Sequence, residues 1–157
     1  LILKMININV FSEERAWSKK LKKKEFFFKK ICKSFPKKYR FPNKKVSICL
    51  NLSNNRNIKK LNKRFRNKNK STDILSFPFE KKRRIANKIY LGDIIISYNF
   101  MDRPRPLKLK IFKERVIKTF IHGYLHLLGY DHVNDDDYKK MLKEEKKLFE
   151  SVISKMN

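Results

Sequence analysis

The sequence HGYLHLLGYDH, residues 122–132, contains all three histidines of the 157-residue chain. It closes a run in which apolar residues recur every three to four positions, as on an amphipathic helix, and Gly129 marks the end of that helix. On a helix, His122 and His126 lie one turn apart and point the same way. Gly129 then permits the backbone reversal that brings back His132. The stretch therefore predicts a helix, a turn and three converging imidazoles.

Three imidazoles arranged in this way suit a metal ion. Neutral imidazole is a ligand of Zn²⁺, and three protein ligands leave a fourth position for water, as in catalytic zinc sites. We predict one Zn²⁺ per chain, held by His122, His126 and His132, although three imidazoles also accept Ni²⁺ or Co²⁺. A structural site would add a fourth Cys or His, and neither cysteine lies nearby in the sequence. The alternative is three partly buried histidines that only make hydrogen bonds.

The same spacing of histidines and glycine occurs in zinc proteases of the metzincin type. Those enzymes carry Glu directly after the first His, where it serves as the general base. Here that position is Gly123, which has no group that takes up a proton. A metzincin-like zinc helix is therefore expected without the usual peptidase chemistry.

Hydrophobic periodicity along the rest of the chain predicts the element order β, α, β, α, β, β, α, α. The predicted strands are residues 5–10, 46–51, 74–77 and 89–97. A first helix is expected from Ser12 or Glu13 to about Ser34, and Ser53 or Asn54 is expected to cap a short basic helix. The long helix that ends at Gly129 begins no earlier than about Leu107, because two prolines precede it. A last helix follows three aspartates, with a buried side formed by Met141, Leu142, Leu148, Phe149 and Val152.

These elements indicate an α+β fold with a four-stranded mixed sheet and about four to six helices. The chain shows no repeat, linker or change of composition, so one domain over residues 1–157 is expected. Ile94, Ile95 and Ile96 are consecutive, which indicates a strand covered on both faces. The very basic segment 80–88 is expected to be a turn or a disordered hairpin.

The net charge of +26 comes from 41 Lys and Arg against 15 Asp and Glu. Such an excess predicts attraction to a polyanion, either nucleic acid or an acidic membrane surface. Lys, Asn, Ile and Phe are also the residues favoured by AT-rich codons, so mutational drift is an equal explanation for part of the charge. No apolar run approaches the roughly 18 residues that span a bilayer. The isolated cysteines Cys32 and Cys49 fit a reduced compartment, and a cytoplasmic protein is expected.

Four segments of the sequence resemble those of the YbeY family, the single-strand-specific endoribonucleases of bacterial ribosomal RNA maturation. HGYLHLLGYDH is similar to the family signature, and LGDIIIS, residues 91–97, is similar to the family's L-G-D-I-x-I-S. STDILSFPFE, residues 71–80, resembles T-D/N-V-L-S-F-P-x-E. LNKRFRNKNKSTD, residues 61–73, resembles L-N-x-x-F/Y-R-x-x-D-x-x-T and places the family's functional arginine at Arg66. The segment 99–110 departs from the family, because its two prolines interrupt a region that is usually a smooth helix.

The resemblance implies an α+β fold in which His122, His126 and His132 hold zinc and Arg66 is catalytic. It implies cleavage of single-stranded RNA, maturation of the 3′ end of small-subunit ribosomal RNA, and ribosome quality control. The expected partners are small-subunit ribosomal RNA, the ribosome and small-subunit assembly factors. Two other classes of function compete with this interpretation: a zinc peptidase, and a non-catalytic RNA-binding or ribosome-assembly protein whose zinc is structural.

Several residues near these motifs have two interpretations. Asp131 could orient an imidazole or accept backbone hydrogen bonds in the turn after Gly129. Arg64, Lys68 and Lys70 could follow an RNA backbone or belong to a solvated loop. Tyr124 and Tyr130 could stack on bases, although packing is the commoner role of Tyr at such helical positions. Asp73 and Asp93 are expected to make structural hydrogen bonds.

Overall fold

The computed structural model describes residues 6–79, 88–105 and 107–156. It contains four strands and six helices, of which α1 and α4 are about one turn long. A 3-10 turn, Lys37–Tyr39, also precedes β2. The elements are β1 Asn7–Ser12, α1 Ala16–Lys20, α2 Lys24–Lys33, β2 Lys45–Ser53, α3 Asn55–Arg66, β3 Ile74–Pro78, β4 Lys88–Ser97, α4 Tyr98–Met101, α5 Leu109–Leu127 and α6 Asp135–Met156. No helix in these ranges has the length and apolar character needed to cross a membrane.

The four strands form one mixed sheet in the order β1-β2-β4-β3. β1 pairs with β2, and β2 with β4, in parallel; β3 runs antiparallel to β4 at an edge of the sheet. The predicted α+β class with a four-stranded mixed sheet is confirmed.

Strand β4 lies inside the sheet and is covered on both faces, as its three consecutive isoleucines predicted. Ile94 and Ile96 belong to the main core. Ile95 points to the opposite face, where it packs with Ile58 of α3 and Leu75 of β3 in a second, smaller cluster. Helix α3 therefore covers one face of the sheet near β3, and the remaining long helices pack on the other face.

Helix α5 carries the apolar side that its periodicity predicted. Its buried residues include Phe112, Val116, Ile117, Phe120 and Ile121. Helix α6 packs against it through Met141, Leu148 and Val152. Leu142, predicted to be buried, is 51% exposed. It follows Met141 by one residue and is therefore rotated about 100° away from the buried stripe.

The first predicted helix is wrong in its extent. Strand β1 continues through Ser12, and two helices, α1 and α2, replace one. Between them, Leu21 has an extended backbone (φ −119°, ψ 96°) and a buried side chain. Trp17 is fully buried and donates its indole N–H to the carbonyl oxygen of Ser53, 2.9 Å away. The chain bends because Trp17 and Leu21 are both held in the core.

The remaining boundaries agree with the patterns, with one addition. Asn54 caps α3 by accepting a hydrogen bond from the backbone N–H of Asn57. Helix α4, before the prolines, was not predicted, and α5 begins at Leu109, just after the predicted limit. The predicted turn at 80–88 lies outside the described residues except for Lys88, which begins β4.

Gly92 marks an irregularity in β4. The register between β2 and β4 shifts here: Ser47 faces Tyr90, and Ile48 faces Gly92. Gly92 has φ +138°, and a Cβ built on it would lie 2.2 Å from the carbonyl oxygen of Phe77. The LGD segment needs a glycine here because the bulge requires a positive φ and the backbone of β3 approaches too closely for a side chain.

We expect Gly92→Ala to destabilise the protein far more than Gly129→Ala. At Gly92 the clash, about 1–3 kcal/mol of overpacking, adds to about 1–2 kcal/mol for the positive φ. Gly129 also has a positive φ, +99°, but a Cβ there meets no atom within 4 Å, so only the backbone cost of about 1–2 kcal/mol applies. Urea unfolding of both variants beside the unsubstituted protein measures the difference. Equal losses would contradict the close approach at Gly92.

Candidate metal centre

Helix α5 brings His122 and His126 together near its C-terminus. Both side chains are half-buried, and their Nε2 atoms lie 3.1 Å apart. Two Zn–N bonds of about 2.0–2.1 Å in tetrahedral geometry would place their nitrogens roughly 3.3 Å apart. The observed separation therefore fits two ligands of one metal ion.

The turn after α5 delivers the third histidine. The N–H of Gly129 donates to the carbonyl oxygen of His126, and the N–H of Tyr130 donates to that of Leu125, both in a tight helix end. The chain then reverses, and the His132 ring centroid lies 5.1 Å from that of His126. One potential ligand atom from each histidine lies within 4.8 Å of the other two. The structure thus brings all three predicted residues into a group that could hold a metal ion.

Hydrogen bonds on the far side of the rings orient two of the imidazoles. His122 Nδ1 lies 2.6 Å from Glu145 Oε1, and His126 Nδ1 lies 2.9 Å from the carbonyl oxygen of Tyr130. Because both of these oxygens can only accept hydrogen bonds, Nδ1 is the donor in each ring, and in the neutral imidazole Nε2 then keeps a free lone pair. The free lone pairs face each other, as metal ligands require.

Glu145 was missed in the sequence analysis, which considered Asp131 for this orienting role. Glu145 lies on α6, 23 residues from His122 in sequence. Asp131 instead accepts the backbone N–H of His132 at 2.8 Å. The structure thus gives Asp131 the turn-stabilising contact, and gives the orienting contact to a residue that no local pattern identified.

The surroundings of His126 favour its neutral form. Burial lowers the pKa of His126, and the neighbouring His122 lowers it further. The hydrogen bond to the Tyr130 carbonyl acts in the opposite direction and is the weaker effect. A neutral imidazole is the form that binds a metal.

Gly123 explains why this helix lacks the glutamate of zinc peptidases. It is buried where α5 packs on the sheet, and a Cβ there would lie 2.5 Å from Ile74 Cδ1 and 3.0 Å from Ser76 Oγ. The helix approaches β3 so closely that even a Cβ at this position would require the Ile74 and Ser76 side chains to shift. The residue that is the general base in the peptidases corresponds here to a glycine at the contact between helix and sheet.

The histidines line one wall of a cleft of about 560 Å³. Its floor is the open edge of β3, and its opposite wall is the end of α3 with the following loop. Arg66, Lys68 and Lys70 line this wall, whereas Arg64 is not among the lining residues. Within the ranges the structure describes, none of Arg66, Lys68 and Lys70 is paired with a carboxylate.

Arg66 occupies a defined position in this wall. Its Nη2 donates to the carbonyl oxygen of Ser76 at 2.9 Å, and its guanidinium carbon lies 5.6 Å from the centre of the Phe77 ring. One N–H of five is used in the bond to Ser76, so other donors remain free. The side chain is exposed and lines the cleft that the histidines line.

Asn62 is a second residue that the sequence analysis missed. It is buried, its side-chain Nδ2 donates to the carbonyl oxygen of Lys70 at 2.9 Å, and its own carbonyl accepts the N–H of Lys68. These two bonds hold the loop that presents Lys68 and Lys70 to the cleft. The only sequence feature that points to Asn62 is its place in the LN pair of the 61–73 segment. That feature does not identify Lys70 as its hydrogen-bond partner.

The remaining predicted residues fall into two groups, those that pack or make structural hydrogen bonds and one that lines the cleft. Tyr124 is fully buried and donates its hydroxyl to the Tyr39 carbonyl at 2.7 Å, so it packs in the core. Tyr130 is half-buried and lines the cleft. Asp73 accepts the N–H of Ile74 at 2.8 Å, and Asp93 accepts the hydroxyl of Tyr90, so both make structural hydrogen bonds as expected.

Comparison with known proteins identifies the family of this chain. The family model described as Endoribonuclease YbeY matches residues 9–153. The chain belongs to the YbeY family. Endoribonuclease YbeY of Pelagibacter ubique (strain HTCC1062) is 55% identical over 152 residues, which cover 97% of this chain and 99% of that protein. Endoribonuclease YbeY of Sulfurihydrogenibium sp. (strain YO3AOP1) is 33% identical, covering 91% of each chain.

A solved structure also matches this YbeY-family chain. The solution structure of TM1509 from Thermotoga maritima is 28% identical to it, with a TM-score of 0.56. The match covers 97% of this chain and 91% of that one. The fold therefore extends over nearly the whole of both proteins.

We expect the unsubstituted protein to bind about one metal ion per chain and His126→Ala to lose it. Removing one of three ligands leaves two, which do not complete a site of this kind. Elemental analysis of the purified proteins measures the content. Asp131→Asn is the matched control, because its contact is with the backbone and metal content should be retained. Equal metal content in His126→Ala and the unsubstituted protein would rule out the three-histidine site.

Glu145→Gln should weaken metal binding without abolishing it. The amide keeps the size of the side chain but loses the negative charge that makes the His122 imidazole a stronger ligand. Loss of such an outer contact typically lowers metal affinity about 10- to 100-fold. Competition with a fluorescent chelator measures the affinity. Glu144→Gln, one residue away and bonded to Tyr39 instead, should leave it unchanged; equal effects of both variants would contradict the orienting role.

Proposed function

We propose that this chain is a zinc-dependent, single-strand-specific endoribonuclease, one domain over residues 1–157. Its proposed roles are 3′-end maturation of small-subunit ribosomal RNA and ribosome quality control, with the ribosome and small-subunit assembly factors as partners. Endoribonuclease activity follows from the family and from relatives named Endoribonuclease YbeY. The observation that carries the proposal is that the three histidines and Arg66 line the same cleft.

Zinc is the metal that fits the donor set best. Three neutral imidazole nitrogens, two of them already 3.1 Å apart, are typical of catalytic zinc sites. Bound zinc supplies Lewis acidity, which lowers the pKa of a coordinated water toward neutrality. The protein contributes the orientation of the rings, through Glu145 and the Tyr130 carbonyl.

The cleft walls suit a phosphodiester. Arg66 is always charged and planar, and its free N–H groups could engage two phosphoryl oxygens at once. Negative charge on those oxygens increases as the phosphate is attacked, so a fixed cation beside them stabilises the transition state more than the ground state. Lys68 and Lys70 add positive charge along the same wall and could hold the neighbouring phosphates.

The packing of Gly123 argues against the competing peptidase function. Gly123 has no side chain to serve as the peptidase general base, and a larger residue there would press on the Ile74 and Ser76 side chains. Arg66 also donates a hydrogen bond to the Ser76 carbonyl on the open edge of β3. A peptide substrate that added to this edge as a strand would need that carbonyl.

Arg66→Glu should abolish RNA cleavage while metal content stays unchanged. The substitution replaces a cation beside the phosphate by an anion, and loss of one transition-state contact alone costs about 10²- to 10³-fold in rate. Cleavage of a labelled single-stranded RNA, with elemental analysis of the same samples, measures both. Arg56→Glu makes the same charge change on the exposed first turn of α3 and should cleave within a few-fold of the unsubstituted protein. An active Arg66→Glu variant would remove Arg66 from the mechanism.

A further inference from the structure

An exposed aromatic residue lies beside Arg66 and has no role in the mechanism described so far. Phe65, on the last turn of α3, is 57% exposed. Ile58, on the first turn of the same helix, is fully buried against Leu75 and Ile95. Phe65 instead leaves most of its ring open to solvent.

The ring is held in place by its neighbours. It meets the Phe77 ring edge to face, with centroids 5.5 Å apart, and Phe77 in turn lies 5.6 Å from the Arg66 guanidinium. The Arg64 guanidinium lies 5.2 Å from the Phe65 centroid. Phe65 thus contacts Arg64 and Phe77, and Phe77 in turn contacts Arg66, the arginine that lines the cleft.

The charge around Phe65 selects the kind of partner. Helix α3 contains no acidic residue, and its last turn carries Lys63, Arg64 and Arg66. An open aromatic ring bordered by cations is the arrangement that binds a base by stacking and the adjoining phosphate by charge. A protein partner of acidic and apolar character would need a wider apolar surface than one ring provides.

We propose that Phe65 is a nucleobase-stacking subsite for single-stranded RNA, next to the phosphate bound at Arg66. This inference rests on the proposed ribonuclease function and adds a reason for its strand preference. Bases of a duplex are stacked on each other and cannot lie on the Phe65 ring, whereas an unpaired base can. Arg64, against the Phe65 ring, and Arg66, against the neighbouring Phe77 ring, supply positive charge for the phosphates that flank the stacked base.

Substitution of Phe65 separates stacking from packing. Phe65→Ala and Phe65→Leu should each raise KM for a single-stranded RNA about tenfold with kcat unchanged, because a stacked base is bound equally in the ground and transition states. Leu keeps an apolar contact with Phe77 but offers no aromatic face, and Phe65→Tyr, which restores the face, should keep the original KM. Phe26→Ala removes an equally exposed ring, 64% exposed, on α2 and is the matched control. An unchanged KM in both the Ala and Leu variants overturns the subsite, while cleavage by the unsubstituted protein leaves the ribonuclease function standing.

A binding measurement tests the subsite without relying on cleavage. The only tryptophan, Trp17, is fully buried, so a Phe65→Trp variant places one solvent-exposed indole at the proposed subsite. The metal-loaded variant is titrated with a single-stranded oligodeoxyribonucleotide, which an endoribonuclease leaves intact. Quenching by this strand, and much less by its duplex or by an abasic strand of equal charge, is the expected result. Equal quenching by the abasic strand would mean charge attraction alone and would overturn the proposal, and absence of RNA cleavage by the unsubstituted protein would instead refute the ribonuclease function.

Discussion

The close approach of helix α5 to the antiparallel edge of the sheet is the constraint on which the site depends. Gly123 makes it possible, since a Cβ at this position would overlap Ile74 and Ser76. The approach places the C-terminal part of α5 beside the edge of β3, so the three histidines of this helix and its following turn share one cleft with the arginine that bonds to β3. The close packing at Gly123, which has no side chain, therefore positions the helix relative to the strand and to the cleft.

The metal centre draws support from distant parts of the chain. The three imidazoles come from one helix and its turn, but Glu145 belongs to α6 and the opposite wall belongs to α3. The correct docking of α6 on α5 thus orients His122 as well as burying apolar surface. Stability of the core and the geometry of the candidate metal centre are linked, because both need the same packing of these two helices.

Much of the fold could be predicted because its signals are local. The periodicity of α5, the isoleucines of β4 and the His–Gly–His spacing each occupy one continuous segment. The break between α1 and α2 was missed because it follows from tertiary contacts, the burial of Leu21 and of Trp17, which bonds to Ser53, 36 residues away. Glu145 was missed for the same reason. In the sequence it is one of several charged residues on a highly charged helix, and only the packing of that helix on α5 distinguishes it from its neighbours.

The bond from Arg66 to the Ser76 carbonyl has a consequence for self-association. An unpaired sheet edge is a template on which strands of other molecules can add. On β3, the Ser76 carbonyl accepts a hydrogen bond from Arg66, and the Ile74 N–H donates to the Asp73 carboxylate. Pro78 has no backbone N–H. The arginine that faces the cleft therefore also covers one hydrogen-bonding group of the open sheet edge, where another strand would otherwise pair.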